Sequence, residues 1–535
     1  MDTPTEHVRQ QMLALQPAMH LNPQKWEQPF QTAWQPQFCA ATGSPESDRA
    51  GNRALWVDTM SRWPHIAAAD GNCLRNIQKW AVESALGVFT SNYRGVETRN
   101  MDRSWHDRTK YQAWAPAEKA ETPNATARAG VKFALGQGGM RITDRRDPDE
   151  LDIDLSTDEN CLLREELADI CKPGANSELH SHHSSAQGFA GEPTLLGSLA
   201  KLFNNYFNPC VPVRPHHIVA GSGTNSCLVT LLYKICDPED GVLVPGPYWN
   251  GDEVDFRTCS SVQSVLVKTE KFTDIFTLNL IPKMEEAMDN ATCRIRALVL
   301  TNPHNLFGQC YPQEVLEACL KFCQRREIHM VSDEVYAMTT FSCAEISDPT
   351  PFISVLSLDA GALQCDRSRI HMIWGTSKDF GVSGCRMGCI VSQDNRESIV
   401  GLAASPKAQV SSPSVLSTTA LLSSPTLPLL VALNSARLAE SYILITSFFI
   451  RHRIDYIPVN AGLNIFARLV PNAKTCEDEL DMITTLKENG VVVRGGGSYH
   501  GTLFEKGWVR ISFALEEHRL QEALHRIETA LHLES

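Results

Sequence analysis

From about Leu151 onward, short apolar, β-branched runs alternate with stretches of helical periodicity, the pattern of an α/β fold. The strand candidates are Gly241–Pro245, Ala297–Thr301, His329–Asp333, Met372–Gly375 and Gly388–Ser392. Between the second and third, Gln313 to Arg326 sets Val315, Leu316, Cys319, Phe322 and Cys323 on one helical face. Strands that are apolar along their whole length and separated by helices predict a mostly parallel sheet covered on both sides. Each candidate runs into a polar or glycine-containing turn, and ligands of open α/β sheets gather at the carboxyl ends of strands. The stretch 436–535 reads as a smaller α+β segment, with strands at Gly462–Ala467 and Trp508–Phe513 and a terminal helix from Glu516 to Leu533.

The first 121 residues are different. They are polar and rich in Gln, Asn and Asp, yet hold seven of the ten tryptophans, a mixture that marks neither a disordered tail nor a plain domain. Leu74, Ile77, Ala81 and Ala85 predict one amphipathic helix over Leu74–Val88. No cluster there has catalytic spacing, so 1–121 is read as an N-terminal extension.

Composition narrows the partners. At 535 residues and 43% hydrophobic content the chain can bury a large core in more than one domain. A formal charge of −13 repels phosphate backbones and anionic lipid heads, which leaves nucleic acid and membrane surfaces without electrostatic support and favours a small-molecule substrate. The longest apolar run, Tyr442 to Ile450, is too short to span a bilayer. Seventeen cysteines without a CxxC pair or regular framework read as reduced thiols, and the N-terminus has no secretory pattern; both point to the cytoplasm.

The sharpest chemistry lies in Thr376-Ser377-Lys378-Asp379-Phe380-Gly381-Val382-Ser383-Gly384-Cys385-Arg386, which follows an apolar strand. A lysine that attacks a carbonyl must be deprotonated, which a desolvated site beside other cations favours. An arginine on the next turn can grip a phosphate through parallel N–H bonds. Taken alone, the segment also reads as an ordinary surface turn.

This segment resembles the Schiff-base signature of the fold-type I pyridoxal 5′-phosphate (PLP) enzymes, in the class I/II aminotransferase and 1-aminocyclopropane-1-carboxylate (ACC) synthase-like family. Its wording from Trp374 to Gly381 is similar to the fungal branch. The resemblance implies a large PLP-binding domain over 216–435. It also implies a small α+β domain built from 122–215 and 436–535, and a homodimer with active sites at the subunit interface.

It further implies roles, residue by residue. Lys378 anchors PLP and moves the Cα proton. Asp333, in Ser332-Asp333-Glu334-Val335-Tyr336, pairs with the pyridine nitrogen and keeps the ring an electron sink. Tyr336 and Asn305 donate to the phenolic oxygen, although the loop Asn302-Pro303-His304-Asn305-Leu306-Phe307-Gly308 has Leu306 where the family has a second proline. Trp249 of Pro245-Gly246-Pro247-Tyr248-Trp249 stacks on the ring. Ser222, Gly223 and Thr224 open a helix and hold the phosphate with Arg386. The serine that often stands three before the lysine is Gly375 here, so Ser377 or Thr376 takes its place. Arg510 takes the substrate α-carboxylate, and Asp158-Glu159-Asn160 is similar to the A-E-N motif, which makes Glu159 a substrate residue.

The family tyrosine that reaches across the dimer is missing, replaced by Ser184-Ser185-Ala186-Gln187, which weighs against ACC synthase chemistry. An aminotransferase-type enzyme of fungal secondary metabolism is expected. The alternative is a C–S lyase that frees a thiol from a cysteine- or glutathione-derived conjugate in an epidithiodiketopiperazine-type pathway; an inactive binding protein is a third reading. His180-Ser181-His182-His183 lacks a partner at zinc-site spacing, so no metal is expected.

Overall fold

A computed structural model of the chain describes residues 152–176, 190–405, 409–500 and 506–533. The extension 1–121 with its Leu74–Val88 helix, the histidines at 180, 182 and 183, and Ser184 to Gln187 lie outside the described residues.

Seven strands form the central sheet: β1 (Ile218–Gly221), β2 (Gly241–Pro245), β3 (Gln263–Val267), β4 (Ile295–Thr301), β5 (His329–Asp333), β6 (Ile370–Gly375) and β7 (Gly388–Val391). Their spatial order is β1-β7-β6-β5-β4-β2-β3, and β7 alone runs antiparallel to its two neighbours. All five predicted strands are present. The two not foreseen are β1, only four residues long, and β3, an edge strand of half-buried residues whose pattern is too mixed to stand out.

Both sheet faces are covered, as alternation along a strand requires. Leu298 and Leu300 of β4 join the core beneath the helices Pro193–Tyr206 and Gln313–Arg326, while Ala297 and Val299 join the core under Thr224–Ile235. Trp374 of β6 is fully buried and meets Phe203 and Phe380 edge-on, which fixes the strand end from which the lysine loop departs. In register, Thr301 stands opposite Asp333 and Asp333 opposite Ile373, so the chemically marked strand ends emerge together at one edge.

A second core belongs to an antiparallel sheet of β8 (Asp455–Ile457), β9 (Asn464–Arg468), β10 (Arg494–Gly495) and β11 (Trp508–Ser512), in the order β8-β9-β11-β10. Ile153, Leu155 and Leu162 share this core with the helix Glu517–Ala530. Tyr248–Trp249 pairs with Tyr499–His500, and this short ladder ties the turn after β2 to the loop after β10.

The apolar run at Tyr442–Ile450 proves to be the end of a much longer helix, Leu427–Arg451. Its 25 residues are long and apolar enough, by length and composition, to cross a membrane. Here Leu438, Tyr442, Ile445 and Phe449 are buried in the second core, and Arg437 pairs with Glu166 at 2.6 Å. Polar residues at helical intervals hid its length from a search for uninterrupted apolar runs.

Candidate active site

Lys378 sits in a single helical turn, Thr376–Asp379, directly after β6. Gly375 at the junction is a steric requirement: a Cβ there would lie 2.8 Å from both the Met387 carbonyl and Thr224 Cγ2. The turn is held by buried polar partners. Trp374 Nε1 donates to Asp379 Oδ2 at 2.7 Å, and the Met338 N–H donates to Asp379 Oδ1 at 3.1 Å. Asn160 Nδ2 donates to the Lys378 carbonyl at 3.0 Å and to Asn434 Oδ1 at 2.9 Å. Gly381, at φ +68°, passes so close that a Cβ would fall 1.9 Å from the Asn160 carbonyl. The lysine amine donates to the backbone carbonyl of Asp158, 220 residues away in sequence.

Asp333 ends β5. Its Oδ1 is buried and has no hydrogen-bond partner within the described protein. Burial pushes its pKa up to about 7, against the N–H of Val335 and the charge of Lys378. Asp252, in the short helix Asn250–Asp255, is pushed up to about 8 by its own burial and by Asp333. The Trp249 ring leaves room only for glycine at 251, since a Cβ would meet it at 2.3 Å. The guanidinium of Arg494 lies over the same ring, 5.5 Å from its centroid.

Ser222, Gly223 and Thr224 open the helix Thr224–Ile235 at the end of β1. Gly223 has φ +94° and faces Arg386 so closely that a Cβ would be 2.6 Å from its Nη2. A helix N-terminus beside an arginine is a cradle for an anion. Thr376 Oγ1 is buried without a partner. The neighbouring Ser377 is also buried, whereas the Ser222 hydroxyl is spent on the Gln409 carbonyl.

Arg510, in β11, is almost completely buried. Its Nη1 donates to Asn305 Oδ1 at 2.8 Å and its Nη2 to the Ser156 carbonyl at 2.8 Å. Asp158 Oδ1 lies 2.6 Å from Arg510 Nη1, and Asp158 Oδ2 accepts the Tyr336 hydroxyl at 2.7 Å. Burial opposes the charge on Asp158, but Arg510, Lys378 and the Tyr336 hydrogen bond outweigh it and bring the carboxyl down to about 2. Glu159 is directed elsewhere: its carboxylate accepts the Ser383 hydroxyl at 2.7 Å.

Residues 152–527 match the family model for aminotransferases of class I and II. The chain belongs to the class I/II aminotransferase family. Within that family it is 46% identical over 391 residues to the probable aminotransferase aclI of Aspergillus oryzae, covering 73% of this chain and 93% of the relative. It is 37% identical over 332 residues to the trimodular acetylaranotin synthesis protein ataIMG of Aspergillus terreus, covering 62% of this chain and 36% of that longer protein. Among solved structures, a single mutant of the aspartate aminotransferase of Thermus thermophilus shares the fold, with a TM-score of 0.59 at 21% identity over 77% of this chain and 97% of the other.

The class I/II aminotransferases are PLP-dependent. In this member, Trp249, Asn305, Asp333 with Tyr336, and Lys378 follow the carboxyl ends of β2, β4, β5 and β6, Arg510 meets Asn305 from β11 of the second sheet, and Gly223, Thr224 and Arg386 meet at the start of the first helix after β1. The peptide before Leu306 is not cis; among the described residues the cis bonds are Gly246–Pro247 and Asn302–Pro303.

Two site residues escape a reading by motif. Asn160 fixes the lysine loop, and its place in the A-E-N-like segment was the available signal. Asp158 enters the site where Glu159 was expected. The two adjacent carboxylates take different partners, Asp158 on Arg510 and Tyr336 and Glu159 on Ser383.

Proposed function

We propose that this chain binds PLP on Lys378 and acts at the α-carbon of an amino acid, as an aminotransferase-type enzyme of fungal secondary metabolism working as a homodimer. The observation that carries the reading is the pair of buried oxygens without partners, Asp333 Oδ1 and Thr376 Oγ1, in the walls around Lys378. Buried polar atoms in native proteins are nearly always bonded, so an unfilled pair calls for a ligand with a proton for a carboxylate and acceptor oxygens for a hydroxyl. The pyridine nitrogen and phosphate of PLP meet both needs, and the Gly223–Arg386 cradle adds a cation for the phosphate.

When bound, PLP supplies an electron sink for the bond that breaks at Cα. The protein supplies the rest. Asp333 would keep the ring nitrogen protonated, Trp249 would cover one ring face, Arg386 and Thr376 would hold the phosphate, and Arg510 would orient the substrate through its carboxylate. Lys378 would anchor the cofactor and serve as the base that takes the Cα proton and delivers it to the cofactor. The relative named for acetylaranotin synthesis supports a substrate from secondary metabolism.

The test is reconstitution with PLP. Wild-type protein develops a visible absorption band that Lys378→Ala lacks, and the variant loses at least about 10⁴-fold in turnover. A wild-type protein without the band overturns the proposal. Incubation with an amino acid and 2-oxoglutarate yields glutamate; thiol, pyruvate and ammonia released from a cysteine S-conjugate instead would reassign the enzyme as a C–S lyase.

A further inference from the structure

The Asp158 side chain occupies the position that the proposed function gives to a substrate. Arg510, assigned above to the substrate α-carboxylate, already has a carboxylate oxygen 2.6 Å from its Nη1. The second oxygen of that carboxylate takes the Tyr336 hydroxyl at 2.7 Å, and the backbone carbonyl of the same residue takes the Lys378 amine. One residue therefore engages the carboxylate-binding cation, the tyrosine and the cofactor-binding lysine together. Arg510 still carries a buried Nε without a partner, so its guanidinium is not saturated and can accept a further anion.

We infer that Asp158 is a specificity-determining residue: an internal carboxylate that a substrate carboxylate must displace from Arg510, so that with PLP bound in its aldehyde form only ligands bringing their own amine bind well.

The reasoning is electrostatic. Separating a buried carboxylate from its cation leaves an uncompensated charge, and removing one partner of such a pair is strongly unfavourable. A ligand with a carboxylate and nothing else restores Arg510 but strands Asp158. A ligand that also carries an α-ammonium restores both, because the amine that replaces Lys378 arrives beside the residue on which the lysine was held. The charged and titratable groups around Asp158 among the described residues are Arg510, Lys378, Tyr336, Arg494 and Tyr499, so the incoming amine adds a cation to Lys378 and the more distant Arg494 once Arg510 has changed partners. The discrimination is thus between zwitterions and simple acids, set by one side chain that does not belong to the cofactor site.

The inference rests on the assignment of Arg510, and the test separates the two. The PLP-loaded protein is titrated calorimetrically with 2-methylhexanoate and with 2-amino-2-methylhexanoate, which has no α-hydrogen and is not turned over. In Asp158→Asn, which keeps an acceptor for Tyr336, and in Asp158→Ala, the dissociation constant for 2-methylhexanoate falls about 10-fold or more, while that for the amino acid changes less than about 3-fold. Either variant that melts like the wild type suffices. Unchanged or weakened binding of 2-methylhexanoate overturns the inference, as does equal tightening of both ligands. Arg510→Ala abolishes binding of both in either background. If it does not, the assignment of Arg510 itself fails.

Discussion

The two walls of the site are built on opposite plans. On the cofactor side, Asp333 and Thr376 hold buried oxygens with no partner among the described residues, and Gly223 lets the Arg386 guanidinium approach so closely that no Cβ fits between them. On the substrate side, Asp158, Tyr336, Asn305 and Arg510 engage one another through an ion pair and hydrogen bonds. The first wall is unfinished without a tightly bound group. The second already holds an ion pair that a substrate must open. A permanent cofactor can be written into a fold as missing bonds, whereas a transient substrate has to compete with bonds already made.

The largest test of this contrast is Asp333→Asn. An amide cannot keep the ring nitrogen protonated, so turnover falls about 10²–10³-fold, the scale of losing one preorganised electrostatic partner. A variant within threefold of the wild type would mean that the unpartnered oxygen is not a cofactor ligand.

The two walls also have opposite pH signatures. Asp158 is lowered to about 2 in the folded protein, below its ordinary 3.8. Its contribution, on the order of 2 kcal/mol, is fully present above about pH 4 and is lost as pH falls toward 2. Asp333 is raised to about 7, so the unfolded state releases that proton first, and stability of the cofactor-free protein falls as pH rises from about 4 to 7. Denaturation of cofactor-free and PLP-loaded protein between pH 4 and 8 measures this: the PLP-loaded protein lacks the share of the decline due to Asp333, and Asp333→Asn removes that share from the cofactor-free form, while Asp252 and Glu334, raised to about 8 and about 7, keep theirs. Equal slopes in the two forms would erase the contrast.

The smallest expected effect is Thr376→Val. Removing a hydroxyl whose only role is to bond the cofactor weakens PLP binding about fivefold, the size of one hydrogen bond, while leaving the melting temperature of the cofactor-free protein unchanged or slightly higher. Fluorescence titration with PLP reads the difference.

Much of this site was legible along the chain because its pieces are local. A strand end, a lysine, three glycines and an arginine stand within a few residues of each other from Trp374 to Arg386, and Pro245 to Trp249 and Ser332 to Tyr336 are equally compact. Each motif states its own turn and its own chemistry. What the motifs could not state was why Gly375 replaces a serine, since the clash that forbids a side chain comes from Met387 and Thr224 on other elements. The orientation of Asp158 and Glu159 was equally hidden, because two adjacent acids look alike until the backbone around them is fixed.

By itself the sequence determined the alternation of strands and helices, the parallel sheet, and the identity of the groups placed at its strand ends. Those properties follow from periodicities of two and 3.6 residues and from turn chemistry, all of which act over a few positions. Only the tertiary structure decided which polar atoms find partners and which are left without. Lys378 and the Asp158 carbonyl are 220 residues apart, and Arg510 meets Ser156 across 354. Contacts at that range exist only after the two sheets close over one another, and they settle where the protein waits for a ligand and where it bonds to itself.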